Sequence, residues 1–235
     1  MFLATHGVLR RSSGFVPPVF TDIYYFQFDG VTDYFTVDSP VTFTGNFSVS
    51  FWTQYSGGNY KAIFGGTSGS VGGMLESLVM VQGALYYRDT SSSWTKININ
   101  SIVGLGWVNF ALTYDSSLNE FKTYQNGTLQ TTKNPSSFSS KGNSGIYQIG
   151  RRSTGSYYNS SLNEISSYDY VLSQSEVTSI SAGPSDLTSL YPTQWFRMGE
   201  HSVWNGSAWV MTSQGSDTGT ATSSGFTQSG NPSLH

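Results

Sequence analysis

Phe47-Ser48-Val49-Ser50-Phe51-Trp52-Thr53-Gln54-Tyr55 is the stretch that decides the fold. Successive side chains of an extended chain point to opposite sides, so Phe47, Val49, Phe51 and Tyr55 share one face and Ser48, Ser50 and Gln54 the other. A strand with one buried face and one largely wet face follows. The same period returns in Trp107-Val108-Asn109-Phe110-Ala111-Leu112-Thr113-Tyr114-Asp115, where Val108, Phe110, Leu112 and Tyr114 read inward and Asn109 and Thr113 outward. Between residues 120–125 and 128–130 stands Asn126-Gly127, the pair that tolerates the two positive φ values of a type I′ turn, and a hairpin is expected there. Shorter strands are expected over residues 26–28, 34–37, 62–64, 78–81, 85–88, 146–149, 162–168 and 194–198.

Helix is scarce. Ser173-Gln174-Ser175-Glu176 is a capping box, Val177 and Ile180 give it an apolar edge, and Gly183-Pro184 ends it. One short helix over about residues 174–181 is expected, with a turn at 186–190. Composition agrees: of 235 residues only 11% are charged, against roughly 25% in an average domain, while aromatics reach 15% and glycines number 26. The absence of cysteine excludes disulfides, thiolate metal sites and cysteine nucleophiles. A net charge of −3 without a basic block argues against nucleic acid, and no apolar run approaches the roughly 20 residues of a membrane span.

Three regions are expected. Residues 1–22, with Ser12-Ser13-Gly14 and Pro17-Pro18 but no sustained period, read as an extended N-terminal arm. Residues 23–200 form the sandwich. Residues 201–235, rich in Gly, Ser and Thr but carrying Trp204, Trp209 and Phe226, read as a tail packed on the sandwich or on a neighbour, with 218–227 able to add a strand to an open edge. The N-terminus lacks the form of a secretory signal, which points to synthesis in a host cytoplasm.

An ordered series of motifs now stands out: Phe28-Asp29-Gly30-Val31-Thr32-Asp33-Tyr34, the two strands above, Tyr124-Gln125-Asn126-Gly127, Ile149-Gly150-Arg151, Leu162-Asn163-Glu164-Ile165 and Leu172-Ser173-Gln174-Ser175-Glu176-Val177. Over about residues 24–182 this series resembles the concanavalin A-like (laminin G-like) jelly rolls. The resemblance implies an all-β sandwich of two antiparallel sheets with rim loops available to sugars or proteins. The segment Trp195-Phe196-Arg197-Met198-Gly199-Glu200 is similar to a connector found after such domains in structural proteins of tailed bacteriophages.

Sugar-cleaving enzymes with this fold imply alternating Glu, Asp and Glu on one strand, and no such triplet occurs. Glu164 and Asp169, the nearest approach, fall on opposite faces of a regular strand. No enzyme is expected. Glu164 is read as a partner of Arg151 or Arg152. Tyr157, Tyr158, Asn159, Tyr60 and Trp94 are the candidate carbohydrate-binding residues, since flat rings at strand ends stack on sugars while amides fix hydroxyls. Asp29 and Asp33 flank a turn and could hold calcium, although an Asx turn before Gly30 is the preferred reading and no cofactor is otherwise expected. The three histidines have no metal-ligand spacing. The expected function is that of a structural protein at the surface of a tailed-phage virion, a capsid decoration protein or short fibre component, partnered by like subunits as a trimer and by a capsid or tail protein. The alternative is a carbohydrate-binding module or adhesin for bacterial surface glycan.

Overall fold

Strands Phe47–Gln54 and Trp107–Asp115 pair along their whole lengths, Trp107 against Gln54 through Tyr114 against Phe47, and form the middle of an eight-stranded sheet in the computed structural model. The described residues are 24–59, 61–65, 78–88, 94–97, 101–134, 144–152, 155–229 and 231–234. Glu120–Gln125 and Thr128–Lys133 extend this sheet on one side; Ser161–Tyr168, Tyr24–Gln27 and Ser233–Leu234 extend it on the other. The hairpin turns on Asn126 (φ 48°) and Gly127 (φ 75°), as the type I′ reading requires. A side chain at Gly127 would also strike Ser181 of the helix.

The opposing sheet has six strands in the order Ser202–Trp204, Trp209–Thr212, Thr220–Ser224, Tyr34–Val37, Gln148–Ile149 and Phe64–Gly65. A four-stranded sheet of Lys61–Ala62, Val79–Val81, Ala84–Arg88 and Trp94–Lys96 lies beside it. The two large sheets enclose one core, in which Phe26, Phe28, Phe35 and Phe226 meet with ring centres 4.9–6.2 Å apart. The jelly-roll sandwich expected from the sequence is thus observed.

Half of the second sheet's strands come from beyond Glu200. Thr220–Ser224 lies between Trp209–Thr212 and Tyr34–Val37 of its own chain, so residues 201–235 complete the sandwich, with Ser202–Trp204 as the edge strand of this sheet. Residues 1–22, the expected arm, lie outside the described residues.

The outer face of the eight-stranded sheet departs from expectation. Ser48, Ser50, Asn109 and Thr113, read as wet, are buried. The helix Gln174–Ser181 lies over this face with Leu172, Val177, Ile180, Leu187 and Trp195 against Ala111, Tyr124 and Tyr168. Small polar residues suit this contact: Ser48 Oγ donates to the Tyr170 carbonyl (2.7 Å) and accepts from the Leu172 amide (2.9 Å). The capping box forms as expected, with Ser173 Oγ accepting from the Glu176 amide and the Glu176 carboxylate accepting from the Ser173 amide.

Strand Ser161–Tyr168 changes partner partway, pairing with Tyr24–Gln27 at residues 161–162 and with Gln194–Phe196 at 165–167. A bulge between Asn163 and Ser166 marks the exchange, and Glu164 takes a left-handed φ of 48°. The bulge resets the alternation, so Leu162 and Ile165 both enter the main core.

Candidate functional site

Four loops converge at the rim where strand Phe47–Gln54 ends: residues 29–33, 55–59, 101–106 and 155–160. Ser56 ties two of them together, its Oγ donating to the Asn159 carbonyl (2.9 Å) and its amide to Ser160 Oγ (2.9 Å). Asn159 Nδ2 donates to the Gly57 carbonyl (3.0 Å), and a Cβ at Gly30 would overlap that of Asn159. The rim is therefore a set of mutually bonded loops.

Beside it, on the outer face of the large sheet, Gln27, Ser161 and Gln54 stand in one row across three adjacent strands. They line a groove of about 460 Å³ with Ser56, Tyr55 and Val103, and Gly104 and Gly106 form its lip. Gln27 and Gln54 are exposed, and Ser161 Oγ donates to Gln27 Oε1 (2.7 Å), which orients the Gln27 amide. Tyr55 closes the inner wall, its hydroxyl donating to the Gly58 carbonyl (2.9 Å) and pushed by burial to a pKa of about 12. The volume lies within the roughly 300–1,000 Å³ of small-ligand sites, and exposed amides next to an apolar wall offer donors and acceptors that no charge constrains.

The sequence-predicted residues separate. Tyr158 is fully buried, stacked on Tyr55 and hydrogen-bonded through its hydroxyl to Thr53, so it is a core residue and cannot stack on a ligand. Asn159 holds the 55–59 loop. Tyr157 is half-exposed on the other side of the rim, where the Arg151 guanidinium lies against both its ring and that of Tyr34. Tyr60 and the side chain of Trp94 lie outside the described residues. Gln27, Gln54 and Ser161 were missed, and the only signal for them was the outward parity of Gln54.

The described partners of Glu164 are Arg197 and Trp195 in place of Arg151 or Arg152. Its carboxylate accepts from Arg197 Nε (2.9 Å) and from Trp195 Nε1 (2.6 Å), both delivered by the strand that joins at the bulge.

Asp29 is an Asx-turn residue. Its Oδ1 accepts from the amides of Val31, Thr32 and Asp33, and its Oδ2 from the Thr32 hydroxyl. Burial opposes its ionisation, but these donors together hold the carboxyl below its ordinary value. Asp33 Oδ2 accepts from the Asp29 amide (2.9 Å), and burial together with the Asp29 charge pushes Asp33 up to about 6. Oxygens so engaged within their own loop do not fit a calcium site. No group of three acidic or histidine ligands occurs among the described residues.

A carboxyl that holds its proton more tightly in the folded than in the unfolded chain lowers stability as pH rises from about 4 through 6. Asp33→Asn keeps an acceptor for the Asp29 amide and removes the charge. Thermal melts should therefore show no change at pH 4 and a gain on the order of 1 kcal/mol at pH 7.5. A loss at pH 7.5 would contradict this account.

A sandwich with ligand-sized rim features defines a lectin-type jelly roll. Residues 29–178 match the family model of the concanavalin A-like lectin/glucanases superfamily, and the chain belongs to that family. A Bacteroides ovatus protein assigned a carbohydrate-binding role has the same fold, with a TM-score of 0.65 at 15% identity over 88% of this chain and 59% of that one. A heptameric SAP-like pentraxin from Limulus polyphemus gives 0.53 at 14% identity over 68% and 82%. No curated protein matches the sequence.

Proposed function

We propose that this domain binds carbohydrate without transforming it, and that the groove at Gln27, Gln54, Ser56 and Ser161 receives the sugar. The row of uncharged groups carries the reading: the Gln54 and Gln27 amides present donors, Ser56 and Ser161, whose hydrogens go to Asn159 and Gln27, present acceptor lone pairs, and Tyr55 and Val103 supply the apolar wall. Family membership supports the ligand class. Glu164, the acid best placed on the strand, is occupied by Trp195 and Arg197, which favours binding over catalysis.

A glycan array of bacterial surface saccharides tests the proposal. Gln54→Ala should weaken binding of the selected glycan about tenfold, or about 1.4 kcal/mol, with the circular dichroism spectrum unchanged. A folded protein that binds no saccharide at millimolar concentration would sink it.

A second reading places the domain on the surface of a tailed-phage particle, as a decoration or short fibre component among like subunits. What supports it is the resemblance of Trp195-Phe196-Arg197-Met198-Gly199-Glu200 to the connector that follows such domains in tailed-phage structural proteins. Mass spectrometry of purified particles tests this directly: its absence from particles of the producing strain would reject it.

A further inference from the structure

Arg151 is ordered by its own fold without being neutralised by it. Its guanidinium carbon lies 4.5 Å from the centre of the Tyr34 ring and 5.4 Å from that of Tyr157, and the rings are themselves 6.2 Å apart, tilted by 58°. The placement follows from the strands. Tyr34 occupies the outward parity of Tyr34–Val37, since Phe35 and Val37 are buried. Arg151 pairs with Tyr157 in the small ladder of Arg151–Arg152 and Ser156–Tyr157. All three residues are half-exposed.

Among the described residues no carboxylate pairs with Arg151, and its Nε is shielded from solvent without an acceptor. The acids that the sequence places nearby are engaged elsewhere: Asp29 and Asp33 within their loop, Glu164 with Arg197. A guanidinium presents a planar fork that matches a carboxylate through two parallel bonds, and contact with both rings restricts its rotamer freedom before any ligand arrives. Ring faces beside the fork suit the C–H face of a pyranose.

We propose that the Tyr34–Arg151–Tyr157 cluster is a second binding site, on the other side of the rim from the groove, for the carboxylate of an acidic sugar residue. The two aromatic faces favour a sugar acid over a bare anion, which needs no apolar partner. The proposal rests on the glycan-binding reading for the class of ligand, although the site is a different one.

Calorimetry of the full chain with α2,3-sialyllactose and with trigalacturonate, each against its uncharged counterpart, lactose or methyl-esterified trigalacturonate, separates the two sources of carboxylate. At least one acid should bind ten times or more tighter than its neutral partner, and less tightly at high salt. Arg151→Gln should abolish the preference, Arg151→Lys should lose most of it because the fork is gone, and Leu118→Ala, an exposed position in neither site, should leave it intact. Equal binding of acid and neutral forms would overturn the proposal, as would an oligoglutamate peptide binding where neither sugar acid does. Neutral binding removed by Gln54→Ala with no acid preference would defeat this site and leave the groove standing. An acid preference removed by Arg151→Gln, with no neutral glycan bound, would support this site and defeat the groove.

Discussion

Ending the chain after Glu200 will leave a protein that does not fold. The truncation removes Ser202–Trp204, Trp209–Thr212 and Thr220–Ser224, which strips Tyr34–Val37 of one neighbour and turns it into a sheet edge. It also removes Met211, Ala221 and Phe226 from the core. Phe226 alone touches three other rings, with centres 5.2 Å from Phe26 and 5.1 Å from both Phe28 and Phe35. Deleting one such side chain costs about 3–5 kcal/mol, against a total stability of about 5–15 kcal/mol. Phe226→Ala is the graded form of the same experiment and should lower the melting temperature by roughly 6–20 °C. A dispersed, cooperatively melting fragment of residues 1–200 would show that the sandwich closes without its last strands.

Arg197→Met is the second change with a large expected effect. Glu164 is 3% exposed and its charge is balanced by a guanidinium 2.9 Å away. Removing that partner takes the guanidinium away from a buried carboxylate, and breaking a buried pair in this way costs about 3–5 kcal/mol. The double variant Arg197→Met/Glu164→Gln should recover most of the loss, because a neutral amide oxygen still accepts from Trp195 Nε1 and no charge remains. Urea unfolding of the single and double variants reads the difference. Equal destabilisation of the two would mean that Arg197 acts through packing and not through charge.

The inner faces of the large sheet were legible because Phe47, Val49 and Phe51, and Val108, Phe110 and Leu112, keep strict period two against a single core. The outer face was not. Ser48, Ser50 and Thr113 look like solvent residues, but their small size is what admits the helix and the Leu172 turn, whose amide Ser48 satisfies. The bulge at Glu164 was equally silent, since nothing about a glutamate announces a left-handed backbone, and with it went the true partners in Trp195 and Arg197. At the site, adjacent tyrosines in one loop went opposite ways: Tyr157 lies half-exposed on Arg151 while Tyr158 is buried on Thr53. Loops lack a repeat, so no parity argument assigns inside and outside there. Gln27, Ser161 and Gln54 are neighbours only because three strands distant in sequence share a register.

Tyr24 pairs with Leu234 and Tyr25 with Ser233, antiparallel, so the chain enters and leaves this body at the same corner. Tension applied through both ends would meet these rungs one at a time, peeling them in sequence, the weakest loading a ladder can face. A load between residue 24 and a ligand seated at Gln54 instead runs across the Phe26–Leu162 rung and the long Ser161–Tyr168 and Phe47–Gln54 pairing, where many bonds resist together. Mechanically, the fold resists a pull between residue 24 and the groove better than a pull between residues 24 and 234.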